Sequence, residues 1–109
     1  MDTTAKLAMP LPLDELAAFC KKWRIVKLSV FGSILRDDFH PDSDVDFLAE
    51  FEEGAKRGFL DEFAMEEELE SLVGRQVDIV DARLVRSSRN PYRRQEILGT
   101  AENLVDATL

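Results

Sequence analysis

Three short runs constrain the fold of this chain more than any other feature: IVKLSVF (25–31), VDFLAEF (45–51) and QVDIVD (76–81). The first is β-branched and alternating, the signature of a strand with one buried face, and the other two read as a second and a third, shorter strand. Around them the apolar spacing turns helical. Leu13, Leu16, Ala17, Cys20 and Trp23 follow Pro12, a start signal, and predict a helix from Leu13. A second amphipathic helix is predicted from Phe59 to Val73, with Phe59, Leu60, Phe63, Leu69 and Leu72 on or near one face and Gly74 closing it. A third runs from Pro91 to Val105, capped by Asn90, with Gly99 and Thr100 marking a kink or division. SILRDDF has room for about two helical turns before Pro41, and residues 1–11 read as a loose leader. The order α-β-α-β-α-β-α predicts an α+β (mixed α/β) fold, a small β-sheet flanked by helices. A length of 109 residues suits one domain spanning 1–109.

Charge narrows the function. With 45% apolar and 33% charged residues the chain has material for a core, but its formal net charge is -8. That argues against broad nucleic-acid binding or attachment to anionic membranes, both of which call for a basic surface. It suits a protein that binds cations or docks on a basic partner. Cys20 is the only cysteine, so no intramolecular disulfide forms and a reducing cytoplasm is the expected setting. Its neighbours Leu16, Phe19 and Trp23 make it a buried hydrophobe rather than a nucleophile. No apolar run approaches the roughly 20 residues of a membrane span, and the N-terminus lacks a signal-peptide layout. His40 beside Pro41 reads as a surface residue, and Glu66-Glu67-Glu68 as the solvated side of its helix.

The stretch FGSILRDDFHPDSDVDF (31–47) puts Asp37, Asp38, Asp42, Asp44 and Asp46 within ten positions, with Arg36 the only full cation among them. Strand alternation sends Asp44 and Asp46 to one side while Val45 and Phe47 face the core. In the third strand Val77 and Ile79 take the core face, which leaves Asp78 outward. If these two strands are neighbours, three carboxylates meet and raise one another's pKa unless a cation neutralises them. Mg²⁺ is such a cation, usually held by one or two carboxylates plus substrate phosphates. An Asp-x-Asp pair at a strand entrance is also common as plain exposed polar residues or an Asx turn. Upstream residues add to the metal reading. A strand ending in Gly32-Ser33 before a helix offers phosphates a close backbone, a hydroxyl and helix N–H groups. Arg36, three residues past Ser33, shares that helix face and its guanidinium suits phosphate oxygens. Together these parts suit metal-assisted phosphoryl chemistry.

At GSILR, SDVDF and VDIV the chain resembles the minimal nucleotidyltransferases, a branch of the DNA polymerase beta-like superfamily. The family pattern is Gly-Ser, then Arg, Asp-x-Asp about a dozen residues on, and a later strand Asp. The element order agrees from Leu13 to the end. One departure is Asp37, where many relatives carry Gly. The resemblance implies the nucleotidyltransferase fold, with Gly32 and Ser33 holding a triphosphate and Asp44 and Asp46 binding Mg²⁺. It also implies that Asp78 completes the metal site and takes the proton of the attacking hydroxyl. The implied reaction transfers AMP from ATP, releasing pyrophosphate. Arg36 as a phosphate contact comes from geometry rather than from the family.

Superfamily members that modify antibiotics, tRNA ends or DNA carry an added recognition domain. A chain of 109 residues leaves no room for one, so the acceptor is expected to bring its own recognition surface. Stand-alone relatives imply an antitoxin whose partner is a HEPN-domain ribonuclease toxin, neutralised by AMP on a tyrosine. Two alternatives stay open: a catalytically silent antitoxin that blocks its partner by binding, and a catalytic subunit for a small-molecule acceptor. RLVRSSRNPYRR (83–94) carries five arginines. They read either as exposed residues around a helix start or as a grip on the partner or the nucleotide. Tyr92 reads as a packing or cap-side residue, with a modified residue the lesser alternative.

Overall fold

A computed structural model of the chain describes residues 7–55 and 58–107. Helix α1 (Leu13–Trp23) has Asp14 and Glu15 in its first turn and Lys21 and Lys22 in its last, matching the helix dipole, and ends at Arg24 with φ 60. Strand β1 (Ile25–Phe31) follows at once, then a single 3-10 turn (Gly32–Leu35) and strand β2 (Val45–Phe51). Helix α2 (Phe59–Val73) closes on Gly74, whose φ of 80 is the left-handed stop expected there. Strand β3 (Val77–Asp81), helices α3 (Ala82–Arg86) and α4 (Pro91–Thr100) and strand β4 (Glu102–Asp106) complete the order.

The sheet runs β3-β2-β1-β4. β1 lies antiparallel to β2 and β4, whereas β2 and β3 are parallel, which needs a crossover that α2 supplies. The fold is therefore the predicted small mixed sheet with helices. Alternation sends Val45, Phe47 and Ala49 of β2 and Leu28 and Val30 of β1 into the main core, against Leu16, Phe19 and Cys20 of α1 and Met65, Leu69 and Val73 of α2. A register shift between Ile25 and Lys27 is a bulge, and it allows Ile25 and Leu28, three residues apart, to join the same core. On the other face Leu48 packs with Ala82, Val85 and Ile97 from α3 and α4. Cys20 is buried, and burial pushes its thiol up to about 11, so it is the inert hydrophobe expected.

Five expectations are corrected. Residues 7–11 are not loose: the Ala8 N–H donates to the Ile34 carbonyl at 2.9 Å, Leu11 is buried, and Leu7 and Met9 pack on the core. Residues 1–6 lie outside the described residues. SILRDDF does not make two helical turns. The 3-10 turn ends at Leu35, and Arg36 is extended (φ -119, ψ 164) with its Nε on Asp38 Oδ1 at 3.1 Å. Adjacent aspartates are poor helix formers because their carboxylates compete for local partners.

The buried face of α2 is Met65, Leu69 and Val73, with Leu72 partly buried, while Phe59, Leu60 and Phe63 are 84%, 80% and 63% exposed. The helix thus packs through its C-terminal half. The predicted helix to Val105 stops at Thr100, and 102–106 pairs with the free edge of β1, satisfying backbone groups a helix would leave open there. Finally, α3 was not foreseen; its cap is Asp81, whose side chain accepts the Arg83 N–H at 2.9 Å. Among the described residues no helix is long and apolar enough to cross a membrane.

Candidate active site at the β1 and β2 strand ends

Register brings the predicted carboxylates together. Asp46 and Asp78 are direct partners across the parallel β2–β3 pair, and Asp46 is also opposite Phe31, the last residue of β1. Asp44 precedes β2 and is exposed, as is Asp78, while Asp46 is half-buried. Loss of water around Asp46, followed by the charges of Asp78 and Asp44, raises its carboxyl above the ordinary aspartate value, and Arg36 pulls it part of the way back. This is the repulsion anticipated from sequence. It makes a cation welcome at Asp46.

Gly32 sits directly against that carboxylate. Its φ is +80, and a Cβ there would stand 2.4 Å from Asp46 Oδ2. Glycine is required twice over, by conformation and by the close approach. Gly32→Ala should therefore push the Asp46 carboxylate aside and strain the turn. We expect transfer to fall by up to about 10²-fold, as for reacting groups displaced by an ångström. The melting temperature should drop by several degrees, as for about 1–2 kcal/mol of left-handed strain. Activity and thermal melts on one preparation check both.

Ser33 tethers the turn to the loop that carries Asp44, its hydroxyl donating to the Asp44 carbonyl at 3.4 Å. Arg36 does not share a helix face with Ser33, and one 3-10 turn supplies no α-helical N-terminus or dipole. What remains for phosphates is the close backbone at Gly32, the Ser33 hydroxyl and the Arg36 guanidinium. Arg36 lines the same cleft as Gly32 and Asp46 while resting on Asp38.

Arg75 is a positioning residue that sequence reasoning missed. Its guanidinium donates to the His40 carbonyl at 2.8 Å and the Ser43 carbonyl at 3.2 Å, and stacks 4.4 Å from the Phe39 ring centroid. Beside it the Val45 N–H donates to the Gln76 carbonyl at 3.0 Å. The loop delivering Asp44 is thus strapped to the end of α2 and the start of β3. Nothing local to Arg75 in the sequence signals this, because its partners lie over 30 residues away.

A cleft of ≈ 520 Å³ opens beside these groups. Phe31, Gly32, Leu35, Arg36 and Asp46 form one wall, α4 supplies Arg93, Glu96, Ile97 and Thr100, and Glu102 begins β4. The volume is that of a typical small-molecule site. Among the described residues no three His, Cys, Asp or Glu side chains form a closed metal cluster. The donor set still fits Mg²⁺: hard carboxylate oxygens, one of them raised in pKa by its neighbours, beside a cleft from which phosphate oxygens would supply further ligands. Asp44, Asp46 and Asp78 are the residues that would hold it. Tyr92 is 85% exposed and is not a packing residue, although its N–H does take part in the Asn90 cap.

The model of the nucleotidyltransferase domain family matches residues 14–102. A Methanocaldococcus jannaschii protein provisionally named a protein adenylyltransferase is 33% identical over 84 residues, covering 77% of this chain and 84% of its own. A solved structure described as a minimal nucleotidyltransferase, again provisionally, superposes with a TM-score of 0.62 at 36% identity, covering 82% of this chain and 85% of its own. The fold also matches, at 17% identity and a TM-score of 0.59, the complex of a tri-AMPylated Shewanella oneidensis HEPN toxin with its MNT antitoxin, over 86% of this chain and 69% of the other. With a family match over most of its length and all three strand-end aspartates in place, this chain belongs to the nucleotidyltransferase domain family.

Proposed function

We propose that the domain transfers AMP from ATP to a protein hydroxyl, with a tyrosine of a HEPN ribonuclease toxin as acceptor, and so serves as the antitoxin of a pair. The observation that carries this reading is the in-register Asp46–Asp78 pair with Gly32 closed against Asp46, Gly32 and Asp46 both lining a nucleotide-sized cleft. The acceptor is inferred from relatives: the Methanocaldococcus jannaschii protein carries the name of a protein adenylyltransferase, and the MNT antitoxin of the same fold is found with an AMPylated HEPN toxin.

In the reaction a tyrosine oxygen attacks the α-phosphorus of ATP. The bond from that phosphorus to the bridging oxygen breaks, and pyrophosphate leaves with the electron pair. Asp78, exposed at the strand end, takes the phenolic proton; an unperturbed tyrosine has a pKa near 10, so a carboxylate base assists. Gly32 and Ser33 hold the triphosphate, and the Arg36 guanidinium leaves Asp38 to join it. Mg²⁺ at Asp44 and Asp46 would screen the charge that develops on the phosphate oxygens. The buried, unpaired Cys20 suits a cytoplasmic setting.

The silent-antitoxin alternative has less support, because all of the predicted carboxylates and Gly32 are present together. The test uses ATP labelled on either its α- or its γ-phosphate, with Mg²⁺ and the protein product of the neighbouring gene. Transfer of α-label to protein, with γ-label recovered in pyrophosphate, is expected. γ-Label on protein, or no label at all, contradicts nucleotidyl transfer.

A further inference from the structure

We infer that Arg93 of α4 is a second guanidinium for the triphosphate, binding the pyrophosphate portion in the cleft that Gly32 and Arg36 also line. The basic run 83–94 contributes five arginines, and their surroundings differ. Arg86 is paired with Glu50 at 2.5 Å, and Arg94 donates to the Ser88 carbonyl at 2.6 Å, so both have structural employment. Arg93 lines the cleft that holds Gly32, Arg36 and Asp46, and among the described residues its guanidinium has no hydrogen bond or ion pair. Its backbone N–H is fixed by the Asn90 cap at 3.2 Å, which anchors the base of the side chain while leaving the head free. Ile97, one turn further along α4, is 2% exposed and seats this helix on Leu48 of β2, the strand that carries Asp46. The position of Arg93 relative to the carboxylates is therefore set by packing rather than by a mobile loop.

Charge favours a phosphate there. Asp46, Glu96 and Glu102 line the cleft as acids, so a polyanion entering it needs more cation than Arg36 provides. A planar guanidinium meets phosphate oxygens in bidentate fashion and keeps its charge at any working pH. Arg36 and Arg93, both lining the cleft, would share the charge of the leaving group, and Asp44 and Asp46 are the residues that would hold a metal ion beside it.

This inference rests on the nucleotidyl-transfer reading, and the two are separated by the probes chosen. Calorimetry of the whole protein with Mg²⁺ would compare ATP, AMP and inorganic pyrophosphate for the parent, Arg93→Gln and Arg89→Gln. Arg89 belongs to the same basic run but does not line the cleft, and controls for general loss of positive charge. Arg93→Gln should weaken pyrophosphate and ATP by at least about tenfold and leave AMP within a factor of two, with Arg89→Gln like the parent. Equal pyrophosphate affinity in parent and Arg93→Gln, or an equal loss in Arg89→Gln, overturns the role of Arg93 while ATP binding by the parent still stands. A loss confined to AMP overturns it too, by putting the guanidinium on the nucleoside. If the parent binds neither ATP nor pyrophosphate, the transfer reading falls and this role falls with it.

Discussion

The Asp44→Asn, Asp46→Asn double variant is expected to fold at least as well as the parent chain and to lose nucleotidyl transfer altogether. Asp46 sets the stability of the parent against that of the variant. Its pKa is raised in the folded state by burial and by Asp78 and Asp44, so the ionised carboxylate opposes folding. A raised acid is protonated more readily folded than unfolded. Its penalty is absent below the unfolded pKa and complete above the folded one, so stability is lost as pH rises through that window. Asn in place of Asp46 removes the penalty, and the gain over the parent should be seen at neutral pH and vanish in acid. Binding should change in the opposite sense. Mg²⁺ is expected to strengthen ATP binding to the parent if Asp44 and Asp46 hold it as proposed, and this Mg²⁺-dependent gain should disappear in the double variant. Thermal melts across pH, with calorimetry of ATP with and without Mg²⁺, check both halves. Equal ATP affinity with and without Mg²⁺ in the parent would contradict a metal role for the pair.

Asp78→Asn is expected to separate chemistry from binding. Asp78 is exposed at the start of β3, in register with Asp46, and is assigned to the proton of the attacking hydroxyl. Turnover should fall by at least about 10²-fold, the usual cost of losing a general base. ATP affinity should change far less, because Asp44 and Asp46 remain. The loss should be smallest at high pH, where the tyrosine ionises without help. A near-normal turnover would move the base elsewhere, and an equal loss of ATP affinity would make Asp78 chiefly a ligand.

Much of this site was legible in the sequence because its residues obey local rules. The alternation of Val45 and Phe47 with Asp46, and of Val77 and Ile79 with Asp78, fixes which side chains face the core before any pairing is known. A glycine closing a strand beside a carboxylate run invites a close approach, and Gly32 makes it with Asp46. The missed features depend on distant partners. ENLVD becomes a strand because the edge of β1 lies open to it, and nothing in the residues themselves separates it from the end of a helix. Arg75 straps a loop more than 30 residues upstream. The turn at Gly32–Leu35 stays a single 3-10 turn because Asp37 and Asp38 weigh against helix more than the spacing of SILRDDF shows.

Phe59, Leu60 and Phe63 show the same limit from the other side: periodicity placed them on a helix face, but only the sheet's extent decides which turns of α2 it covers. The expectation that α4 would be one long helix also hid the cleft. Its second wall exists because the helix ends at Thr100 and the chain returns along β1.

On the proposed reading, inhibition of the partner proceeds by chemistry at these carboxylates. The most direct measurement is the intact mass of the partner toxin recovered after exposure to the parent protein, ATP and Mg²⁺, alongside the toxin's residual ribonuclease activity. A gain of one or more AMP units, located on tyrosine, is expected in step with loss of ribonuclease activity. No gain and no protection are expected with the Asp44→Asn, Asp46→Asn variant, even though that variant still contacts the toxin. A toxin fully inhibited yet unchanged in mass, with the double variant protecting as well as the parent, would contradict the account and leave a protein that acts by binding alone.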